Sequence, residues 1–247
     1  YVNFDLSQWS PKIETWRRML NIGLPAGGEF ALFAVFTATI YWIIRDFGAA
    51  AQAGFGIGSR VMQMVFLPAM AIAFAAAPIA GQNFGAKNAE RVRETFRSAA
   101  LASCAVMAVL TVFCQWQGTA LIRFFSEDTE VIRVGAEFLH IISWNFVAIG
   151  LVFTCSSLFQ ALGNTWPSFI STGIRLFLFA LPAVWLSRQP GFTLLQVWYV
   201  SVASSTIQAL FSLWLVRGEM GKRFKHAGKD KKGGGTEKPK PGPEPPK

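Results

Sequence analysis

Charge is scarce in this chain. Asp, Glu, Lys and Arg make up 15% of its 247 residues, against roughly 25% in soluble domains, and mean hydropathy is +0.37. That deficit excludes an ordinary water-soluble domain. Histidine and cysteine are also rare: His140, His226, Cys104, Cys114 and Cys155 stand at no metal-ligand spacing, and an odd cysteine count makes no disulfide framework. The cysteines read as small core hydrophobes. No Walker-type phosphate loop is present, so direct ATP drive is not expected. The first twenty residues hold Lys12, Glu14, Arg17 and Arg18 without an apolar centre, which does not suit a cleavable signal peptide.

What the chain has instead is apolar length. Six stretches run nearly without charge: Ile22–Ile44 (broken only by Glu29), Val61–Ala86, Ser98–Ile122, Ile141–Thr165, Ser168–Ser187 (broken only by Arg175) and Phe192–Val216. A helix rises about 1.5 Å per residue, so about 20 residues cross a hydrocarbon core roughly 30 Å thick. Lipid offers the backbone no partners, so each segment must be a helix. The uncharged run from Ile141 to Ile174 is too long for one upright span and too short for two. Gly163-Asn164 with Trp166-Pro167 supplies a turn inside it. The expected fold is an all-α integral membrane protein with six transmembrane helices.

The charges that remain set an orientation. With the N-terminus cytoplasmic, 18 of the 23 Lys and Arg fall on that side, and only Arg45, Arg60, Arg123, Arg133 and Arg188 on the other. Both termini are therefore expected in the cytoplasm, with residues 1–21 as an N-terminal segment, 22–218 as the membrane lobe and 219–247 as a disordered basic tail. That tail contacts anionic headgroups, and with no basic face on a folded domain, nucleic acid is not an expected partner. Residues Lys87–Arg97 read as a short cytoplasmic helix with Asn88 as its N-cap.

Several residues inside the spans call for a reason. Pro25, Pro68, Pro78 and Pro182 each remove a backbone hydrogen bond and kink or end their helix, although proline is also commoner in membrane helices than in soluble ones. Glu29 follows Gly27-Gly28 one turn after Pro25. An ionisable group at that depth costs roughly 2.5–3.5 kcal/mol on insertion scales, so it is a candidate to take up a proton or attract a cation. The alternatives are a carboxylate hydrated by nearby headgroups or one paired with Arg175. Arg175 itself either snorkels to the interface or holds Glu29 ionised. Gln63, Asn145 and Gln160 can line a cleft or bond between helices.

Four short segments carry a resemblance. Gly81-Gln82-Asn83-Phe84-Gly85-Ala86-Lys87-Asn88-Ala89-Glu90-Arg91-Val92 resembles the segment after the eighth helix of multidrug and toxic compound extrusion (MATE) transporters. Leu24-Pro25-Ala26 is similar to the start of their seventh helix, and Phe124-Phe125-Ser126-Glu127-Asp128-Thr129-Glu130-Val131-Ile132 to their motif between helices nine and ten. Ala161-Leu162-Gly163-Asn164 matches the turn after helix ten. Order and spacing agree over roughly residues 20–218.

The resemblance implies a twelve-helix transporter of two six-helix lobes around a central cleft, of which this chain matches the second lobe. A first six-helix lobe, from the same gene product or a second chain, is then an expected partner beside membrane lipid. Family members often carry a coupling carboxylate where Phe33 stands here, and some use an acidic residue where Leu151 stands; Glu29 sits one turn before the first of these. The implied function is secondary antiport of amphipathic or cationic compounds against proton or sodium flow across a bacterial inner membrane. No cofactor other than the coupling ion is called for. The competing readings are a flippase for lipid-linked precursors, which needs a more basic cavity than Arg175 alone supplies, and a non-transporting membrane fragment. An enzyme is not expected, because clustered His, Asp, Cys or Ser groups are missing.

Overall fold

The computed structural model describes residues 13–233, so the expectations for residues 1–12 and 234–247 lie outside the described residues. Among the described residues the chain is helical with no strand, and six helical segments are long and apolar enough to span a bilayer. In chain order these are α1 (Ile13–Ile44), α2 (Ala49–Gly85), α3 (Ala89–Arg123), α4 (Thr129–Ile142) continued by α5 (Phe146–Ala161), α6 (Trp166–Leu186) and α7 (Leu194–Gly233).

Most helices run further than their uncharged cores. The first begins at Ile13, so residues 13–21 extend the span rather than forming a separate segment. Similarly, α2 starts at Ala49 and carries Arg60 in its interior, where the side chain is exposed and escapes the cost of burial. The expected short helix over Lys87–Arg97 is the opening of α3. Asn88 caps it as anticipated, its side chain accepting from the Arg91 N–H at 3.2 Å.

The fourth span needs the largest correction. It starts at Thr129 rather than Ile141, which brings Glu130, Arg133 and Glu137 into the helix. Those charges neutralise one another: Arg133 lies 2.8 Å from Glu130 and 3.6 Å from Glu137, on the helix-neighbour spacing. Asp128 caps the helix, accepting from the Glu130 and Val131 N–H groups. The span then breaks into a 3-10 turn at Ser143–Asn145. Side chains of α3 supply the lost backbone bonds. Gln115 donates to the His140 carbonyl at 2.7 Å, and Thr111 to the Ser143 carbonyl at 3.0 Å.

The turn expected at Gly163-Asn164 is present, with Gly163 at φ +70°, a conformation open to glycine at little cost. No proline ends its helix: Pro25, Pro68, Pro78 and Pro182 all lie inside continuous helices. The tail also departs from expectation, because α7 continues to Gly233 instead of giving way to disorder at residue 219. Buried Met220 and a Glu219–Arg223 ion pair at helical spacing hold the helix as far as residue 223.

Packing divides unevenly. α2 lies against α3, α4 and α5, while α1 barely touches α2 and leans on α6, which in turn packs on α7. The main core gathers Phe36, Phe55, Phe138, Phe146, Phe179 and Trp198. Trp198 stacks on Phe55 at 5.7 Å and meets Phe138 edge-on at 4.8 Å. With lipid as solvent, such shape fit rather than a hydrophobic drive holds helices together. Large side chains on the outer surfaces, Val109, Trp116, Leu181 and Trp214 among them, are exposed, as suits contact with acyl chains.

Candidate functional site

Two polar levels lie along α1 and α6. The first surrounds Glu29. Pro25, buried one turn earlier, denies its helix one N–H, and the Thr165 hydroxyl donates to the nearby Ile22 carbonyl at 2.8 Å. Gly28 lets α6 approach, since a Cβ there would stand 2.6 Å from the Phe169 ring. Glu29 is half-buried and points to α5, where the Ser156 hydroxyl donates to its carboxylate at 3.1 Å. Ser168 of α6 donates in turn to Ser156 at 2.8 Å. Two buried serines thus form a hydroxyl relay ending on the acid. No Lys, Arg or His pairs with Glu29 among the described residues, so the expected partnership with Arg175 is not made.

The second level stands two helical turns further on, about 10 Å along both helices. There the Arg175 guanidinium lies 4.3 Å above the Phe36 ring, a cation–π contact. Arg175 therefore does not snorkel. Its Nε is enclosed and has no hydrogen-bond partner among the described residues. Asn145, only 1% exposed, likewise leaves its Oδ1 without a partner.

Arg175, Asn145 and Gln63 line one cavity of about 40 Å³, together with residues of α1, α2, α4, α5 and α7. At about 10–15 Å³ per water in this measure, that holds a few waters or one small ion, not a drug molecule. Three of the five candidate residues meet here; Glu29 stays on its own level, and Gln160 is exposed near the end of α5. Among the described residues neither Gln63 nor Asn145 makes the interhelical bond that was the alternative to a cleft position. Phe33, which the resemblance aligns with a family carboxylate, forms part of the wall. Leu151 does not, and neither does any of the four in-helix prolines.

A third cluster went unanticipated. Asn164 in the turn before α6 donates to Glu219 of α7 at 3.0 Å, and Arg223 donates to the same oxygen at 2.7 Å while lying over Phe84. The cluster ties the ends of α2 and α5 to the C-terminal half of α7. Glu219→Ala is expected to lower stability by about 1–2 kcal/mol, since it strands two donors of a partly buried network. Thermal unfolding in detergent measures this. Arg91→Ala, which cuts an exposed Arg91–Glu94 pair, should leave the midpoint in place.

The serines of the relay were legible only as small polar residues in apolar runs; Ser156-Ser157 and Ser168 carry no motif. No group of three His, Cys, Asp or Glu side chains able to hold a metal occurs among the described residues.

The MatE family model matches residues 25–186. The chain is 28% identical over 188 residues to the probable multidrug resistance protein YpnP of Bacillus subtilis, covering 76% of this chain and 40% of that protein. It is 26% identical to the probable multidrug resistance protein NorM of Thermotoga maritima, over 82% of this chain and 45% of the relative. A solved MOP superfamily transporter from Pyrococcus furiosus superposes with a TM-score of 0.83 at 20% identity, covering 90% of this chain and 50% of that one. The chain thus spans about half the length of the proteins it matches. It belongs to the MatE family of membrane transporters, and its described residues have the fold of one six-helix half.

Proposed function

We propose that this chain is the ion-coupling half of a multidrug efflux antiporter in a bacterial inner membrane, with both termini in the cytoplasm. The observation that carries the reading is Glu29: a membrane carboxylate held by the Ser156–Ser168 relay and paired with no cation among the described residues. A carboxylate so held can bind a proton or sodium ion and give it up again when its surroundings change. The cavity beside Arg175 is too small for an organic cation. The substrate must therefore travel over the lobe's surface, opposite a first lobe. Exposed Phe30, Phe33, Met64 and Leu67 on α1 and α2 offer flat and flexible apolar contacts for amphipathic or cationic compounds.

The test is accumulation of ethidium in efflux-deficient cells that express the chain with and without a first-lobe partner. Lower accumulation with the partner supports the proposal. Equal accumulation in every case favours a non-transporting membrane component and overturns it.

A further inference from the structure

We propose that the Arg175 cavity is a binding site for one compact monovalent anion, a halide ion or a single carboxylate group, separate from the Glu29 level. The wall contains no acid: its members are Phe33, Phe36 and Thr37 of α1, with residues of α2, α4, α5, α6, α7 and the 3-10 turn, none of them Asp or Glu. Arg175 carries a charge at every physiological pH. Among the described residues its one contact of electrostatic kind is with the face of Phe36, and the Nε–H is unpaired. In a medium of low dielectric constant an uncompensated guanidinium exerts a strong, poorly screened attraction on any anion of matching size.

The rest of the wall completes an anion cradle. Asn145 is buried with its Oδ1 unpaired, and a half-turn about its last torsion presents the NH2 group instead. Ser59, Gln63 and Ser201 add further N–H and O–H donors, and none of their side chains is bonded to another described residue. Water would satisfy the Arg175 Nε–H and the turned Asn145 NH2 without balancing the charge; an anion accepts from both donors and balances it. The volume of about 40 Å³ admits a halide or the head of a carboxylate and rejects a sulfate or phosphate ester with its substituent. Gln63 and Phe33 are exposed, so the mouth opens on the α1–α2 surface. A carboxylate-bearing molecule can therefore insert its head and leave its body outside.

The experiment uses the full chain purified in detergent and held in sodium methanesulfonate, whose tetrahedral head with its substituent is too large for the cavity. Titration with sodium bromide and, separately, sodium acetate is followed by thermal unfolding at constant ionic strength. A saturable rise in midpoint with bromide is expected. A rise with acetate alone assigns the site to carboxylates and supports the same chemistry. Arg175→Gln should abolish the rise, and Asn145→Leu should weaken it at least tenfold in concentration. A rise that survives in folded Arg175→Gln, or no saturable rise with either anion, overturns the proposal. If Arg175→Gln does not fold, crystals of the unchanged chain grown in bromide decide: an anomalous peak beside Arg175 supports the site, and its absence refutes it.

Discussion

Glu29→Gln is expected to leave the chain folded and to reduce substrate-induced release of the coupling ion to background. Glutamine has nearly the same shape, and its amide oxygen accepts the Ser156 hydroxyl as the carboxylate does. Packing against Phe169 and the α1–α6 contact therefore survive. What disappears is the ability to carry a negative charge that a proton or sodium ion can neutralise. The measurement is ion release on substrate addition, with the chain assembled beside a first lobe of the kind proposed above. Ser156→Ala is a graded companion: the acid remains but loses a donor, so release should persist with an altered ion-concentration dependence. Undiminished release in Glu29→Gln would move coupling to another residue or to the other lobe.

The second large effect is structural. Gly54→Val should cost about 3 kcal/mol or more in detergent, the upper part of the range for overpacked cores. At the crossing of α2 and α4 a Cβ on Gly54 would stand 2.9 Å from the Gly135 backbone nitrogen and 3.0 Å from the Val131 carbonyl. Backbone cannot rotate aside as a side chain can, so the helices must part. Their separation pulls Phe138 off Trp198 and Phe55 in the adjoining core. Gly218→Ala is the control, with open space around its position. It should leave stability unchanged or raise it slightly through helix propensity. Equal midpoints for Gly54→Val and the parent chain would show that this crossing does not hold the lobe together.

Much of the architecture was visible in one dimension. The number of spans, the Gly163 turn and the Asn88 cap followed from hydropathy and local backbone chemistry, which act over a few residues. The errors came from reading charge as a boundary. Arg133 enters its helix because Glu130 and Glu137 flank it, and Arg60 because its side chain is not buried; neither neutralisation nor exposure shows in a hydropathy run. The Ser126-Glu127-Asp128-Thr129-Glu130 segment did hold the signal, an N-cap followed by acids in the first turn, that marks a helix start at Thr129. The site was less legible. Glu29 and Arg175 stood out as charges in apolar surroundings, but whether they meet depends on the level each reaches after folding. That is a long-range property, and so is the convergence of Gln63, Asn145 and Arg175 from three separate parts of the chain.

The near-absence of contact between α1 and α2 has a mechanical meaning. Two consecutive rods joined at Gly48, yet leaning on different neighbours, leave a seam between a pair (α1 with α6) and a bundle (α2 through α5). The Arg175 chamber straddles that seam, taking walls from both bodies. Whatever fills it becomes a shim: it sets the spacing of two units whose other connection runs chiefly through α7.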